Sequence, residues 1–203
     1  MGNWFSSEAE MQTDIQTEAE AAHATKAREL LDKTCMHEVL PNELWLGNQY
    51  GAGFADPMVG VTPVNALAKL KERGITHILS CIDKPKLFEN EGMEYLVVPM
   101  SDSQSFDLIP CLETTNQFIE SAVANGGKVF VHCQMGQSRS AATVMAFIMK
   151  TQGLSFAAAF AYVKSKRRFI KKENFETHLI EYEATVVSSA SAAAAASAPG
   201  GRE

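Results

Sequence analysis

An α/β layer fold, with a central, mostly parallel sheet flanked by helices, is what this sequence predicts. Three observations lead there. Short β-branched runs alternate along the chain with segments of helical period. One short apolar strand feeds, through a tight loop, a helix that is apolar nearly all round. The composition, 46% hydrophobic and 21% charged over 203 residues, lies in the globular range and suits one domain with tails.

The elements follow in order. Residues 8–33 are rich in helix formers and hold no Gly or Pro. Their apolar positions (Met11, Ile15, Leu30, Leu31) are too sparse for a core-facing stripe, so 1–35 read as a solvated helical arm. The texture changes near Met36, and 36–185 read as the folded domain. Leu44–Gly47 is a short strand ending in a turn. Val64 to Arg73 has helical spacing, with Gly74 as its stop. Ile75 to Ile82 is a β-branched strand, and Glu94 to Val98 is another, closed by Pro99. Asp107 stands where it would cap a helix that runs to the breaker Asn125-Gly126-Gly127. Lys128 to Val131 is a strand buried on both faces, and Ser140 to Lys150 is a central helix. Ser155 caps a helix to Arg167, and a last helix covers 173–183. The Ala/Ser/Gly-rich stretch at 186–203 is of low complexity and reads as a disordered tail.

Charge and composition exclude several classes. The 18 Lys and Arg face 24 Asp and Glu, a net charge of −6, so a nucleic-acid partner is not expected. The acidity concentrates in the arm: residues 1–35 carry seven acidic and three basic side chains. No unbroken apolar run reaches half the length that crossing a bilayer needs. No basic region followed by an apolar core opens the chain, so a cytoplasmic protein is expected. Cys35, Cys81 and Cys111 have neither CxxC spacing nor adjoining histidines, and no zinc site is expected of them.

One segment concentrates the chemistry: Val131-His132-Cys133-Gln134-Met135-Gly136-Gln137-Ser138-Arg139-Ser140. A buried strand enters a tight loop and the loop opens a buried helix. In such a loop the N–H groups of 134–139 can turn inward as a nest for a tetrahedral dianion, with Gly136 giving the chain room to close. Cys133 sits at the floor, near the positive end of the helix, a position that favours thiolate over thiol. Arg139 returns to the rim, where its planar fork can grip two phosphate oxygens.

HCQMGQSRS resembles the active-site signature of the cysteine-dependent protein phosphatases, and its -SRS ending resembles the dual-specificity branch, in a small atypical form. The likeness extends over about 37–182. LWLGNQYGA is similar to the family's opening strand and turn, and GITHILSCI to its second strand. YLVVPMSDSQSFDL is similar to the strand and general-acid loop, and AYVKSKRRFI to the helix after the signature. The resemblance implies the dual-specificity phosphatase fold, a phosphoprotein substrate, a cysteinyl-phosphate intermediate, and no metal or other cofactor. It implies Cys133 as nucleophile, Arg139 as phosphate clamp and Asp102 as general acid. Ser140 would donate to the departing thiolate, and His132 would tune the cysteine and hold the loop without acting as a base. Gln134, Met135, Gly136, Gln137, Ser138 and Arg139 would bind the phosphate.

Two other aspartates compete for the acid role. Asp107 is better explained as a helix cap and Asp83 as a turn residue, whereas Asp102 stands in the polar stretch SDSQS, where an acid can swing over bound phosphate. Cys81 ends a strand expected beside Val129–Val131, so it is a candidate redox partner of Cys133. The sequence departs from the family pattern at Lys171-Lys172-Glu173-Asn174-Phe175, where relatives carry Pro-Asn-x-Gly-Phe. A smaller departure is Ser80, where many have Asn.

The uncharged loop positions Gln134, Met135, Gln137 and Ser138 point to phosphoproteins rather than inositol phospholipids, whose phosphatases tend to carry lysines there. Six cations between Lys164 and Lys172 read either as a solvated face or as a patch for acidic phosphopeptides or membrane head groups. Met1-Gly2-Asn3-Trp4-Phe5-Ser6 fits the M-G-x-x-x-[ST] pattern for N-myristoylation at Gly2. A single such chain gives reversible, peripheral membrane association. The alternatives are a phosphoprotein-binding pseudophosphatase or adaptor, a lipid phosphatase, and a rhodanese-like sulfurtransferase. The first usually loses the cysteine or the arginine, and Asp102 with Arg139-Ser140 disfavours the last.

Overall fold

A computed structural model describes residues 35–56 and 60–196, with side chains to 186, and five earlier positions: Thr17, Ala21, Ala22, Thr25 and Glu29 are helical and exposed. Gly2 and most of the arm lie outside the described residues, as do 197–203. Five strands form one sheet: β1 (Met36–Leu40), β2 (Leu44–Gly47), β3 (His77–Ser80), β4 (Glu94–Val97) and β5 (Val129–His132), in the spatial order β1-β2-β5-β3-β4. Only the β1–β2 pair is antiparallel. The expected architecture is the one observed.

Register explains how the sheet builds two cores. Trp45, Phe130 and Ile78 stand side by side on β2, β5 and β3 and face one cluster with Ala66, Leu70, Phe88 and Met93. The next row, Leu46, Val131 and Leu79, points the other way into the larger cluster. β5 is buried along its whole length, so it carries no polar alternation.

Helix α1 (Pro63–Glu72) covers the first face. Thr62 caps it, its hydroxyl accepting from Asn65 N–H while the Asn65 side chain accepts from Thr62 N–H. Helices α2 (Ile109–Ala124), α3 (Arg139–Gln152), α4 (Phe156–Lys166) and α5 (Glu176–Ala196) cover the second. Residues Ser140–Met149 of α3 are all buried, because α2, α4 and α5 surround it. Its all-round apolar sequence follows from that position.

Three local readings differ from the structure. Strand β1 was not expected. It is short, and it pairs through the turn Pro41-Asn42, where Asn42 takes a left-handed φ of 60°. The helix α2 begins at Ile109, so Asp107 is not its N-cap residue; its carboxylate accepts instead from Ile109 N–H, 3.1 Å, one residue ahead of the cap. The last helix runs through Ala196 rather than ending near Glu183. Alanine has the highest helix propensity, so an Ala-rich run extends a helix once packing has nucleated it.

Candidate active site

The loop 133–139 joins β5 to α3. Its carbonyls decide its geometry. Gln134 O accepts from Gln49 N–H at 3.2 Å, Gln137 O from Lys171 N–H at 2.8 Å, and Ser138 O from Ala142 N–H at 2.8 Å. Between them, Met135 O and Gly136 O accept from the Arg167 guanidinium at 3.0 and 2.7 Å. Five consecutive carbonyls therefore face outward with partners. Each peptide plane is trans, so the N–H groups of 135–139 turn to the other side, inward. Such a nest meets an anion without reorganisation.

Gly136 is indispensable to this turn. Its φ is 66°, and an added Cβ would lie 2.3 Å from Gly47 O and 2.8 Å from an Arg167 nitrogen.

At the floor, Cys133 is 1% exposed. Two donors meet its sulfur, Gly136 N–H and the Ser140 hydroxyl, each at 3.2 Å. Above it opens a cleft of about 460 Å³ lined by Asp102, Cys133, Met135, Gln137, Ser138, Lys171, Glu173 and Asn174. Arg139 begins α3 and donates from Nη1 to Met100 O at 3.3 Å. Its Nε is buried without a hydrogen-bond partner and lies 3.6 Å from Asp102 Oδ2. A buried guanidinium N–H left open beside an anion nest is a donor waiting for an acceptor.

His132 lies under the loop, stacked 5.8 Å from the Phe130 ring, with Nδ1 3.3 Å from Cys133 O. Burial lowers it to about 4, so the ring is neutral at neutral pH. Among the described residues it makes no hydrogen bond to the sulfur, and as a neutral ring it supports the strand end. Cys81 is a free buried thiol, as is Cys133. Its N–H donates to His132 O at 2.8 Å and its sulfur lies 3.6 Å from Thr143 Oγ1. Burial pushes the Cys81 thiol up, and the neighbouring Cys133 adds to the shift.

The acid loop is less free than its polar sequence implies. Asn174 Nδ2 donates to Asp102 Oδ1 at 2.8 Å and to Asp102 O at 3.1 Å, and Gln104 Nε2 donates to Glu173 O at 3.2 Å. These bonds tie 102–104 to the turn before α5. That turn forms without the Pro and Gly of the family pattern: Lys172 O accepts from Phe175 and Glu176 N–H. Ser80, the other departure, is satisfied by donating to Ile82 O at 2.8 Å. Asp83 is exposed in a bend away from the cleft lining.

The six-cation cluster divides by position. Arg167 is 2% exposed and belongs to the loop's support, where it also donates to His37 Nδ1 at 2.7 Å. Burial lowers its affinity for its proton, against an opposite pull from Cys35 and Cys133. Lys164, Lys166 and Arg168 lie over the rings of Phe160, Tyr162 and Phe169, and Lys172 pairs with Glu176 at 2.6 Å. Lys171 alone among them lines the cleft. The sequence reading missed Arg167 and Asn174 as members of the site. Both lie tens of residues from their partners, so no local spacing signals them.

Residues 58–185 match the dual specificity phosphatase catalytic domain. The chain belongs to that family. The mouse serine/threonine/tyrosine-interacting protein is 39% identical over 159 residues, which cover 73% of this chain and 65% of the relative. Human dual specificity protein phosphatase 1 is 30% identical over 178 residues, covering 87% of this chain and 45% of the relative. The match thus spans about two thirds or less of these relatives' lengths. Among solved structures, human DUSP28 superposes with a TM-score of 0.65 at 31% identity, over 76% of this chain and 97% of the other. A mouse putative dual specificity phosphatase complexed with zinc tungstate gives 0.66 at 31% identity, over 78% and 92%.

Proposed function

We propose that this chain is a cysteine-dependent protein phosphatase that hydrolyses phosphotyrosine, phosphoserine or phosphothreonine through a cysteinyl-phosphate. The observation that carries it is the convergence of the Cys133 sulfur, the inward amides of 135–139 and the open Arg139 Nε on one cleft. In the first displacement the thiolate forms an S–P bond while the ester P–O bond breaks, and Asp102 gives its proton to the leaving oxygen. In the second, water adds to phosphorus, its proton passes to Asp102, and the S–P bond breaks. Ser140 Oγ–H, 3.2 Å away, meets the returning thiolate. The guanidinium and amides supply positive charge to the equatorial oxygens throughout.

The test is hydrolysis of aryl phosphates and phosphopeptides in the presence of a chelator. Cys133→Ser should abolish turnover and keep phosphopeptide binding. Asp102→Asn should slow poor leaving groups most, within the ~10²–10⁴ that general acids contribute. Binding with no turnover by the unaltered chain would instead support an adaptor, the reading that the interacting-protein relative favours.

Reversible membrane association through acylated Gly2 is part of the same proposal and rests on the MGNWFS start alone. Incorporation of an alkyne-tagged myristate, lost in Gly2→Ala, would establish it; no incorporation in the unaltered chain would remove it.

A further inference from the structure

We infer that Asn174 is a positioning residue that fixes which oxygen of Asp102 handles the proton. The inference rests on the phosphatase reading above. One amide nitrogen, Asn174 Nδ2, carries two hydrogens, and both are used on the same residue: one on Oδ1 at 2.8 Å, one on the backbone carbonyl at 3.1 Å. Main chain and side chain of Asp102 are thereby tied to one planar group, which removes the rotation that would exchange Oδ1 and Oδ2. Oδ1 is occupied. Oδ2 is the oxygen directed at the site, 3.6 Å from Arg139 Nε.

That Nε makes no hydrogen bond, and bound phosphate would take it in place of its ion pair with Oδ2. Oδ2 then stands beside the phosphorus with no protein donor holding it. The proton on Oδ2 passes to the leaving oxygen as the P–O bond breaks, and in the second step the water's proton returns to Oδ2 as the S–P bond breaks. Asp102 is 39% exposed in its side chain, on a loop of polar residues, so without this tie several orientations compete. A group misplaced by about 1 Å can cost ~10²-fold in rate.

The readout is the dependence of kcat/KM on leaving-group basicity, measured with a series of aryl phosphates and a phosphotyrosine peptide. Asn174→Ala should lower the rate for the peptide by about 10-fold or more, part of the ~10²–10⁴ assigned to the acid, and change activated esters by less than about 3-fold. Asn174→Asp keeps the size but replaces donors with acceptors, and it should show the same selective loss. It decides the matter if the alanine variant fails to fold. In an Asp102→Asn background neither change should add more than about 2-fold, because the two residues act as one unit.

Equal losses for all esters, or full additivity with Asp102→Asn, would overturn the inference and make Asn174 a purely structural residue. Failure of the underlying reading looks different: Asp102→Asn would then leave the leaving-group dependence unchanged by itself.

Discussion

Two arginines flank the loop 133–139, and they do opposite things. Arg139 lies on its inner side with a buried Nε that makes no hydrogen bond and faces the Asp102 carboxylate at 3.6 Å; Arg167 lies on its outer side with donors on Gly136 O, Met135 O and His37 Nδ1. The first is left open for a ligand and the second is consumed by the fold. A guanidinium is suited to both because its donors are fixed in a plane and its charge is permanent. The difference teaches that the pocket's readiness is paid for from behind: the inward amides exist because something holds their carbonyls outward.

If this division is correct, Arg139→Lys should produce the largest effect. A lysine keeps the charge and loses the planar fork, so kcat/KM should fall by about 10³-fold while the unfolding midpoint stays within a few degrees. Steady-state kinetics beside a thermal melt would check it, and a large loss of stability with intact activity would reverse the two roles.

Arg167→Met should show the complementary pattern. It leaves the buried Gly136 carbonyl and the part-buried Met135 carbonyl without a donor, at ~1–3 kcal/mol for a buried one, so stability should drop by about 2–4 kcal/mol in urea unfolding. Activity should fall as well, through weaker binding of inorganic phosphate, and Arg167→Lys should recover part of both. Phosphate affinity unchanged in a folded Arg167→Met protein would show that the loop holds its shape without this support.

The smallest effect concerns the strand end beneath the loop. His132 is buried and held at about 4, below the ~6.5 of an unfolded chain, so the unfolded state binds more protons between those two values. Its contribution to stability is complete above pH 6.5 and is lost as pH falls toward 4. Roughly 1 kcal/mol should disappear between pH 7 and pH 5.5, and His132→Asn should flatten that part of the stability–pH curve. An identical slope in the variant would assign the loss to other groups.

Legibility in the sequence followed distance along the chain. The strands at 77–80, 94–97 and 129–132 and the helices at 63–72, 139–152 and 156–166 lie within a few residues of their expected places. Each is signalled by its own periodicity and by a neighbouring stop or cap, such as Gly74 or Ser155. Cys133, Gly136, Arg139 and Ser140 were legible for the same reason, since a strand, loop and helix contiguous in sequence must place them together. Asp102 had to be chosen over Asp83 and Asp107 by context, and its restraint by Asn174 was invisible. Strand β1 has too few residues to show a period, and the reach of α5 to Ala196 depends on the packing that starts it.

By itself, the sequence determined the alternation of elements, the placing of Cys133 at the floor of an amide-lined loop, and the membership of one family. Backbone sterics, side-chain period and capping act over about ten residues, and all of these features fit inside that span. Only the tertiary structure decided that Arg167 would turn inward while its cationic neighbours stay on rings or in the open. It alone brought Asn174 to Asp102, 72 residues away, and Arg167 to Gly136, 31 residues away. Such pairs form where packing of α4 and of the turn before α5 leaves a donor facing an unsatisfied acceptor, and no local rule encodes that meeting.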